Sequence, residues 1–550
     1  MSAFNMSVLS VILLHLIKAD IFMTFNWHGK MSCFGMMPET PEKKVKFINH
    51  YVHYKCYPFM RLLIERKPIK VYPDPKRVIA RFFFNGDERA KEVIKRVLKL
   101  SGEEVFGLIS PILQEYSKRH RNITKILARH CKKVKPSMDE MGIDYEALNK
   151  YQRLLLGSYF THEYSIESAA FFNPSVVEDP DQSELVEGEK RLIISFRAVG
   201  EGHISSVVFR RALIDSNGNI TVNPSGNYID EAEIVRNAIY NKKLFLKKAA
   251  DARIDLDILD EVGQKLEEKF DYAVLRRILI DSKNLQEDDL KKLEYDKVLW
   301  LSDTYHEISF SRDTDISDRV IFPISEFERK GIEDARFVRF VKDDGAVIYY
   351  ATYTAFDGAM IMPKLLQTTD FYDFKISPLH GAGAQNKNLA LFPRKINGKY
   401  VMMSRIDGWN NYLMYSDKLT VWDHPVKLQQ PQFPWEFIQI GNCGSPIETE
   451  KGWLIITHGV GPMRRYCLGA SLLDLEDPSI EIGRLKEPLV IPNNDEREGY
   501  VPNVLYSCGS IIHNGDLIIP YGLSDYCSSF ASVKIDLLLA KLLEDGSVEE

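Results

Sequence analysis

A chain of 550 residues, 45% hydrophobic and 27% charged, has enough apolar side chain for two to four globular domains with sizeable cores. Its 71 Lys and Arg against 77 Asp and Glu leave a net charge of -6, which removes any electrostatic case for nucleic acid or an anionic membrane as partner. Seven cysteines, at 33, 56, 131, 443, 467, 508 and 527, make no CxxC pair and no metal-like spacing, so reduced thiols, no metal site and a cytoplasmic location are expected.

Residues 1–40 read as a leader or upstream extension. Val8 to Ile17 (VLSVILLHLI) is too short to span a bilayer, follows no basic residue and lacks a clear cleavage site, and Met37 offers an alternative start. Residues 41–170 read as an N-terminal, mostly helical region. The stretch 40–85 has no clear period, whereas Ala90 to Leu100 and Tyr145 to Tyr159 place apolar residues three and four apart. The basic run Lys118 to Lys135 reads as a solvated helix face or a subunit contact, which makes the helical parts candidate homo-oligomer surfaces.

A short apolar strand then recurs five times. The copies begin at Arg191 (RLIISFRA), Ala346 (AVIYYATYTA), Lys399 (KYVMMSRID), Trp453 (WLIITHGV) and Asp516 (DLIIPYGLSD). The last four follow turns holding Gly345, Gly398, Gly452 and Gly515, roughly fifty to sixty residues apart. The expected fold is mainly β: a five-bladed β-propeller over 171–550, with a helical insertion at about 228–300 after the first blade. Innermost strands of a propeller converge, so Arg197, Thr354, Arg405, His458 and Asp525 are expected around one central pocket.

Four segments carry the candidate chemistry. In Gly331–Phe337 (GIEDARF), a carboxylate beside Ile332 and Phe337 is expected to have its pKa raised, as suits a general acid; the plain alternative is an ion-paired turn of Glu333, Asp334 and Arg336. Lys387 and Arg405, with Asp407 beyond them, flank an apolar strand; two cations there suit a phosphate, unless they are surface groups with carboxylate partners. His458 ends a strand before a Gly-rich turn, with Arg464 and Arg465 nearby, and reads either as an anion site or as a satisfied structural histidine. Tyr500, Asn503 and Asp525 are side chains that bind and stack on sugars, or simply turn residues beside core aromatics. GxxxxGK[ST], strand-linked GxGxxG, HExxH and GxSxG motifs are all absent from the sequence.

Taken in order, FFNPS, FRAVGEGHISS, GIEDARF, KNLALFPRKINGKYVMMSR, GNCGSPIETEKGWLIITHGV, GRLKEPL, EGYVPNVLYSCG and YGLSD resemble glycoside hydrolase family 130, the mannoside phosphorylases and β-mannosidases, from about Phe171 to the C-terminus. The resemblance implies a five-bladed β-propeller and no metal or organic cofactor, with inorganic phosphate as co-substrate. It implies Asp334 as the single proton donor, acting through the 3-hydroxyl of the mannose. It places Arg405 and His458 on phosphate and Asn173, Arg197, Tyr500, Asn503 and Asp525 along the mannose site; Lys387 and Arg464 are added as phosphate candidates for their charge, and Asp407 as a sugar candidate for its place beside Arg405. Thr457 before His458, where many relatives have Tyr, and Ser404 before Arg405, where His is common, leave linkage and acceptor open.

An inverting hydrolase needs an acid and a separate base, whereas a phosphorylase needs an acid and a cationic hold on its anionic nucleophile. Arg405, His458 and Arg464 favour phosphate; Glu436, Glu448, Glu496 and Glu498 are the carboxylates from which a base would come. The expected reaction is phosphorolysis of a β-mannoside. The alternatives are an inverting β-mannosidase and a non-catalytic sugar-binding propeller.

Overall fold

The computed structural model describes residues 21–25, 31–35 and 62–546, apart from 227, 236–239, 252–253, 304–305, 326–327 and 359–360. The stretch Val8 to Ile17 and the alternative start Met37 lie outside the described residues. The chain forms two units, Met1–Arg61 and Leu62–Glu550. In the first, the strands Ile21–Phe25 and Met31–Gly35 pair antiparallel.

The second unit holds two helical groups. Asp87–Leu98, Gly102–Tyr116, Ile123–Lys133, Lys135–Glu140 and Lys150–Tyr159 share a core that includes Ile94, Ile109, Leu127 and Leu155. Their starts follow local chemistry: Ser101 accepts from the Glu104 N–H while Glu104 returns a bond to the Ser101 N–H, and Asn149 and Gln152 repeat the arrangement. Within the basic run, Ile123, Leu127 and Cys131 are buried while Lys125 and Lys132 stay exposed, which is the amphipathic division a surface helix needs. The other group, Lys242–Asp251, Leu256–Lys265, Tyr272–Asn284 and Asp289–Asp303, packs around Phe245, Ile258, Leu275 and Val298.

The remainder is mainly β. Each recurrent strand is the middle of an antiparallel set. Lys190–Val199 lies between Ala170–Glu178 and Ser205–Ile214, and Val347–Phe356 between Gly331–Val341 and Ile361–Thr368. Tyr400–Arg405 lies between Lys387–Leu391 and Asn411–Ser416. Gly452–Val460 pairs with Gln439–Asn442 and Ile447–Thr449 on one side and Tyr466–Leu473 on the other. Asp516–Leu523 pairs with Leu505–Tyr506 and Ile511–His513 on one side and Cys527–Lys534 on the other. The middle strands are buried on both faces, and successive residues fill the layers on either side: Leu454 and Ile456 one, Trp453 and Ile455 the other, where Phe392 meets Trp453 edge-on at 5.1 Å.

The N-terminal region holds strands the sequence does not announce, Val78–Phe82 paired antiparallel with Thr161–Ser165 among them. Glu65–Val71, inside the stretch without a period, pairs antiparallel with Cys527–Lys534, Glu65 opposite Ser532 and Val71 opposite Ser528. The start of the unit thus completes the sheet formed by its end. Ala170–Glu178 lies against both Gly331–Val341 and Asp516–Leu523, so the first and last sets are neighbours. Among the described residues, no helix is long and apolar enough to cross a membrane.

Candidate active site

One register position recurs through the five sets. It pairs Phe172 with Arg197, Glu333 with Thr354, Lys387 with Arg405, Gly441 with His458, and Tyr506 with Gly522. In the first three sets the ladder slips just beyond that pair, between Phe172 and Ser175, Glu333 and Arg336, and Lys387 and Ala390. Within each slip sits a residue in the left-handed region: Asn173 (φ 50), Asp334 (φ 55) and Asn388 (φ 67). A bulge leaves its extra residue unpaired and re-aims the side chain, and Asn and Asp tolerate that backbone better than most residues.

The re-aimed side chains meet. Asn173 Nδ2 donates to Asp334 Oδ1 at 2.7 Å. The Arg197 guanidinium lies 2.8 Å from Glu333 Oε1 and 3.6 Å from Asp334 Oδ1. Lys387 Nζ donates to Glu333 Oε2 at 2.5 Å. Behind them, Arg336 donates one hydrogen bond to the Asp334 carbonyl (2.9 Å) and another to the Tyr506 hydroxyl oxygen (2.8 Å). Asn388 Nδ2 also donates to Tyr506 (2.8 Å) and to the Asn442 carbonyl (2.9 Å). Arg405 stands 3.3 Å from His458 Nε2, whose ring leans on Tyr506 at 4.7 Å.

Asp334 corrects the expected raised carboxyl. Burial pushes it up, but Arg197, then Arg336 and Lys387, with the Asn173 hydrogen bond, hold it below the ordinary Asp value. The raised group is Asp525, which burial lifts to about 6 against the pull of Arg197, with Asp334 adding to the rise. Nor is GIEDARF a turn; it runs along the strand Gly331–Val341. His458 is inside Gly452–Val460 rather than at its end, and is fully buried. Burial, then Arg405 and Arg336, drive its imidazole well below the usual range, so it is neutral. Buried polar atoms without a partner cluster in the site: Asn173 Oδ1, Arg197 Nε, Arg336 Nε, Asn388 Oδ1 and Arg405 Nε. Buried polar groups are rarely left without a partner, and a cluster of them marks a place suited to a polar ligand.

Asn173, Arg197, Asp334, Lys387, Arg405 and His458 therefore fall within one connected network, with Asp525 in electrostatic contact. Other candidates stand apart from it. The exposed Asp407 uses both oxygens within its own turn, on the Trp409 and Asn410 N–H groups, Asn410 Nδ2 and the Tyr412 hydroxyl. Tyr500 is 62% exposed, with its hydroxyl 3.4 Å from His203 Nδ1. Asn503 (φ 64) accepts from Arg497 at 2.8 Å. Arg464 is exposed and reaches the network through its field on Asp525. Sequence reasoning passed over Glu333 as a bridge between cations, as well as Arg336, Asn388, Asn442 and Tyr506. All five lie within the strand that precedes and faces a recurrent copy, and that place was the signal for them.

A family model described as beta-1,4-mannooligosaccharide phosphorylase matches residues 297–544. A 1,2-beta-oligomannan phosphorylase of Thermoanaerobacter sp. (strain X514) is 40% identical over 210 residues, covering 36% of this chain and 67% of that protein. A beta-1,2-mannobiose phosphorylase of Listeria innocua is 29% identical over 322 residues, covering 57% and 84%. A beta-1,4-mannooligosaccharide phosphorylase of Ruminococcus albus is 35% identical over 175 residues, covering 30% and 52%.

Proposed function

The chain belongs to glycoside hydrolase family 130, and from that premise we propose that it is an inverting mannoside phosphorylase. Phosphate attacks the anomeric carbon of a β-mannoside, the glycosidic bond breaks, and α-mannose 1-phosphate and a shortened sugar leave. The observation that carries this reading is a buried acid, Asp334, in the electrostatic reach of two cations, Lys387 and Arg405, that pair across two strands, with neutral His458 3.3 Å from Arg405. A dianion held by a guanidinium, an ammonium and an imidazole is oriented and already nucleophilic, so no base is needed.

Of the four carboxylates from which the sequence would draw a hydrolytic base, most are engaged elsewhere. Glu436 is fully buried on Arg484 at 2.6 Å and on the N–H groups of Gln432 and Phe433. Glu496 holds Arg66, Tyr521 and the Asn493 N–H. Glu448 pairs with Arg394 at 2.6 Å. Three of the four thus have structural work, which favours phosphorolysis over an inverting hydrolase.

In this reading Asp334 is the proton donor, acting through the mannose 3-hydroxyl. The surrounding cations, Arg197 first and then Arg336 and Lys387, favour its ionised form. A bound phosphate dianion offsets those cations, so binding the nucleophile also favours protonation of the acid. Arg405, His458 and Lys387 take the phosphate, with the exposed Arg464 as a further candidate; Asn173, Arg197 and Asp525 line the sugar side, and Asp407, Tyr500 and Asn503, outside the connected network, are its remaining candidates. No metal or organic cofactor enters the reaction. The five middle strands and the adjacency of first and last sets support a five-bladed β-propeller over 171–550. The helical groups serve as its outer additions and candidate subunit contacts. Five buried, unbridged cysteines (Cys131, Cys443, Cys467, Cys508 and Cys527) fit the cytoplasm.

Incubation with β-1,2-mannobiose and with β-1,4-mannooligosaccharides, with and without phosphate, tests the reading. α-Mannose 1-phosphate is expected only when phosphate is present. Mannose release at the same rate without phosphate overturns it in favour of the hydrolase.

A further inference from the structure

Tyr506 occupies the same register position as Glu333 and Lys387, the two charged residues that bridge the site, but in the last of the five sets. Its side chain is buried. The phenol oxygen accepts from Arg336 Nη2 at 2.8 Å and from Asn388 Nδ2 at 2.8 Å. Those two bonds occupy both lone pairs, which leaves the hydroxyl hydrogen as the only capacity still unused. Burial keeps the phenol protonated, so the hydrogen is there to give.

Among the described residues, the contacts of this oxygen are with donors, and no acceptor takes its hydrogen. Arg336 and Asn388 are already donating to Tyr506, and the His458 ring, 4.7 Å away, has Arg405 on Nε2 and Cys443 on Nδ1. Arg336 Nε and Arg405 Nε are buried and unpartnered in the same place. A buried hydroxyl donor with no acceptor is costly, and so are two unpartnered guanidinium N–H groups beside it. A single multivalent anion resolves all three at once.

We infer that Tyr506 donates its hydroxyl hydrogen to the bound phosphate, as a binding residue of the nucleophile subsite that Arg405, Lys387 and His458 begin. The inference rests on the phosphorylase reading for the identity of the anion. Through Arg336 and Asn388, the same hydroxyl also ties that subsite to the backbone of Asp334 and to Asn442. Phosphate binding and placement of the acid are thus mechanically linked.

The test is Tyr506→Phe in the full chain, with inorganic phosphate as probe. The substitution keeps the ring on His458 and removes only the hydroxyl. The phosphate KM, and the phosphate Kd from calorimetry, are expected to rise about ten- to hundredfold, the range for a lost hydrogen bond to a charged group. The mannoside KM is expected to change less than about twofold, a split that a merely structural role would not produce. Unchanged phosphate affinity, or an equal rise in both constants, overturns the inference. A wild-type crystal structure with phosphate gives a second measure if the variant does not fold: Tyr506 Oη at hydrogen-bond distance from a phosphate oxygen supports the inference, and a phosphate bound elsewhere overturns it. Phosphate-independent turnover together with Tyr506-dependent phosphate binding would sink the phosphorylase reading and leave this inference standing.

Discussion

Lys387 and Arg405 face one another across a strand pair but answer to different neighbours. The Lys387 ammonium sits 2.5 Å from Glu333 Oε2 and is neutralised before any ligand arrives. Arg405 has a neutral imidazole at 3.3 Å, an unpartnered Nε, and no carboxylate within ion-pair distance among the described residues. The two cations therefore contribute unequally to an anion site.

Arg405→Ala is expected to raise the phosphate KM about a hundredfold or more, near 3 kcal/mol, because its charge is buried and uncommitted. Lys387→Ala is expected to cost less, since Glu333 loses a partner but no free cation disappears. Initial rates against phosphate concentration for the two variants check the order. A larger effect at Lys387 would show that phosphate displaces Glu333 from the lysine.

Asp334→Asn removes the proton and keeps the acceptor that Asn173 uses at 2.7 Å. The expected loss in kcat is about 10²- to 10⁴-fold, the usual contribution of a general acid. Mannoside affinity by calorimetry and the melting temperature are expected to stay close to wild type. Retained turnover would move the acid elsewhere, and Asp525 would be the next carboxyl to test.

Asp525 gives a pH-dependent stability with a definite sign. Its folded carboxyl titrates at about 6 against an ordinary value of 3.8, chiefly through burial. The folded state holds that proton more tightly than the unfolded chain does. Its contribution is therefore fully present below about pH 3.8 and is lost as the pH rises through 6. Above that, the ionised carboxylate costs on the order of 1–2 kcal/mol after allowing for partial exposure. Asp525→Asn is expected to be more stable than wild type by that amount at pH 7.5, and equal to it near pH 4. Denaturant midpoints of the two proteins across this range isolate the group, because other titrations are common to both.

The repeat was legible because its signal is local: a turn, a run of apolar residues, a polar end. Arg197, Arg405 and His458 could be found from that pattern, since each is on a recurrent strand itself. Their partners could not be found the same way. Glu333, Asn388 and Tyr506 lie on the strand before, and a bulge shifts the period just where function begins. The sign of the Asp334 shift was misread for a related reason. Ile332 and Phe337 are its neighbours in sequence, whereas Arg197, Arg336 and Lys387 reach it through space. Glu65–Val71 was missed because its pairing partner is more than 450 residues away along the chain, and short edge strands carry little periodicity of their own.

Gly441 offers a test of how tightly the imidazole must be held. It pairs across the sheet with His458, and a Cβ placed on it would fall 2.3 Å from His458 Cε1. Its φ is not in the left-handed region, so the requirement for glycine is steric rather than conformational. The ring cannot simply retreat, because Tyr506 leans on it at 4.7 Å and Tyr466 stacks at 6.0 Å. Gly441→Ala is therefore expected to displace His458 from Arg405, raising the phosphate KM about tenfold or more, and to cost about 1–3 kcal/mol of stability, the range for overpacking a filled core. Thermal melts read the second effect and phosphate-dependent rates the first. A destabilised variant with an unchanged phosphate KM would mean that the imidazole's position is immaterial to the anion, and would remove His458 from the phosphate subsite.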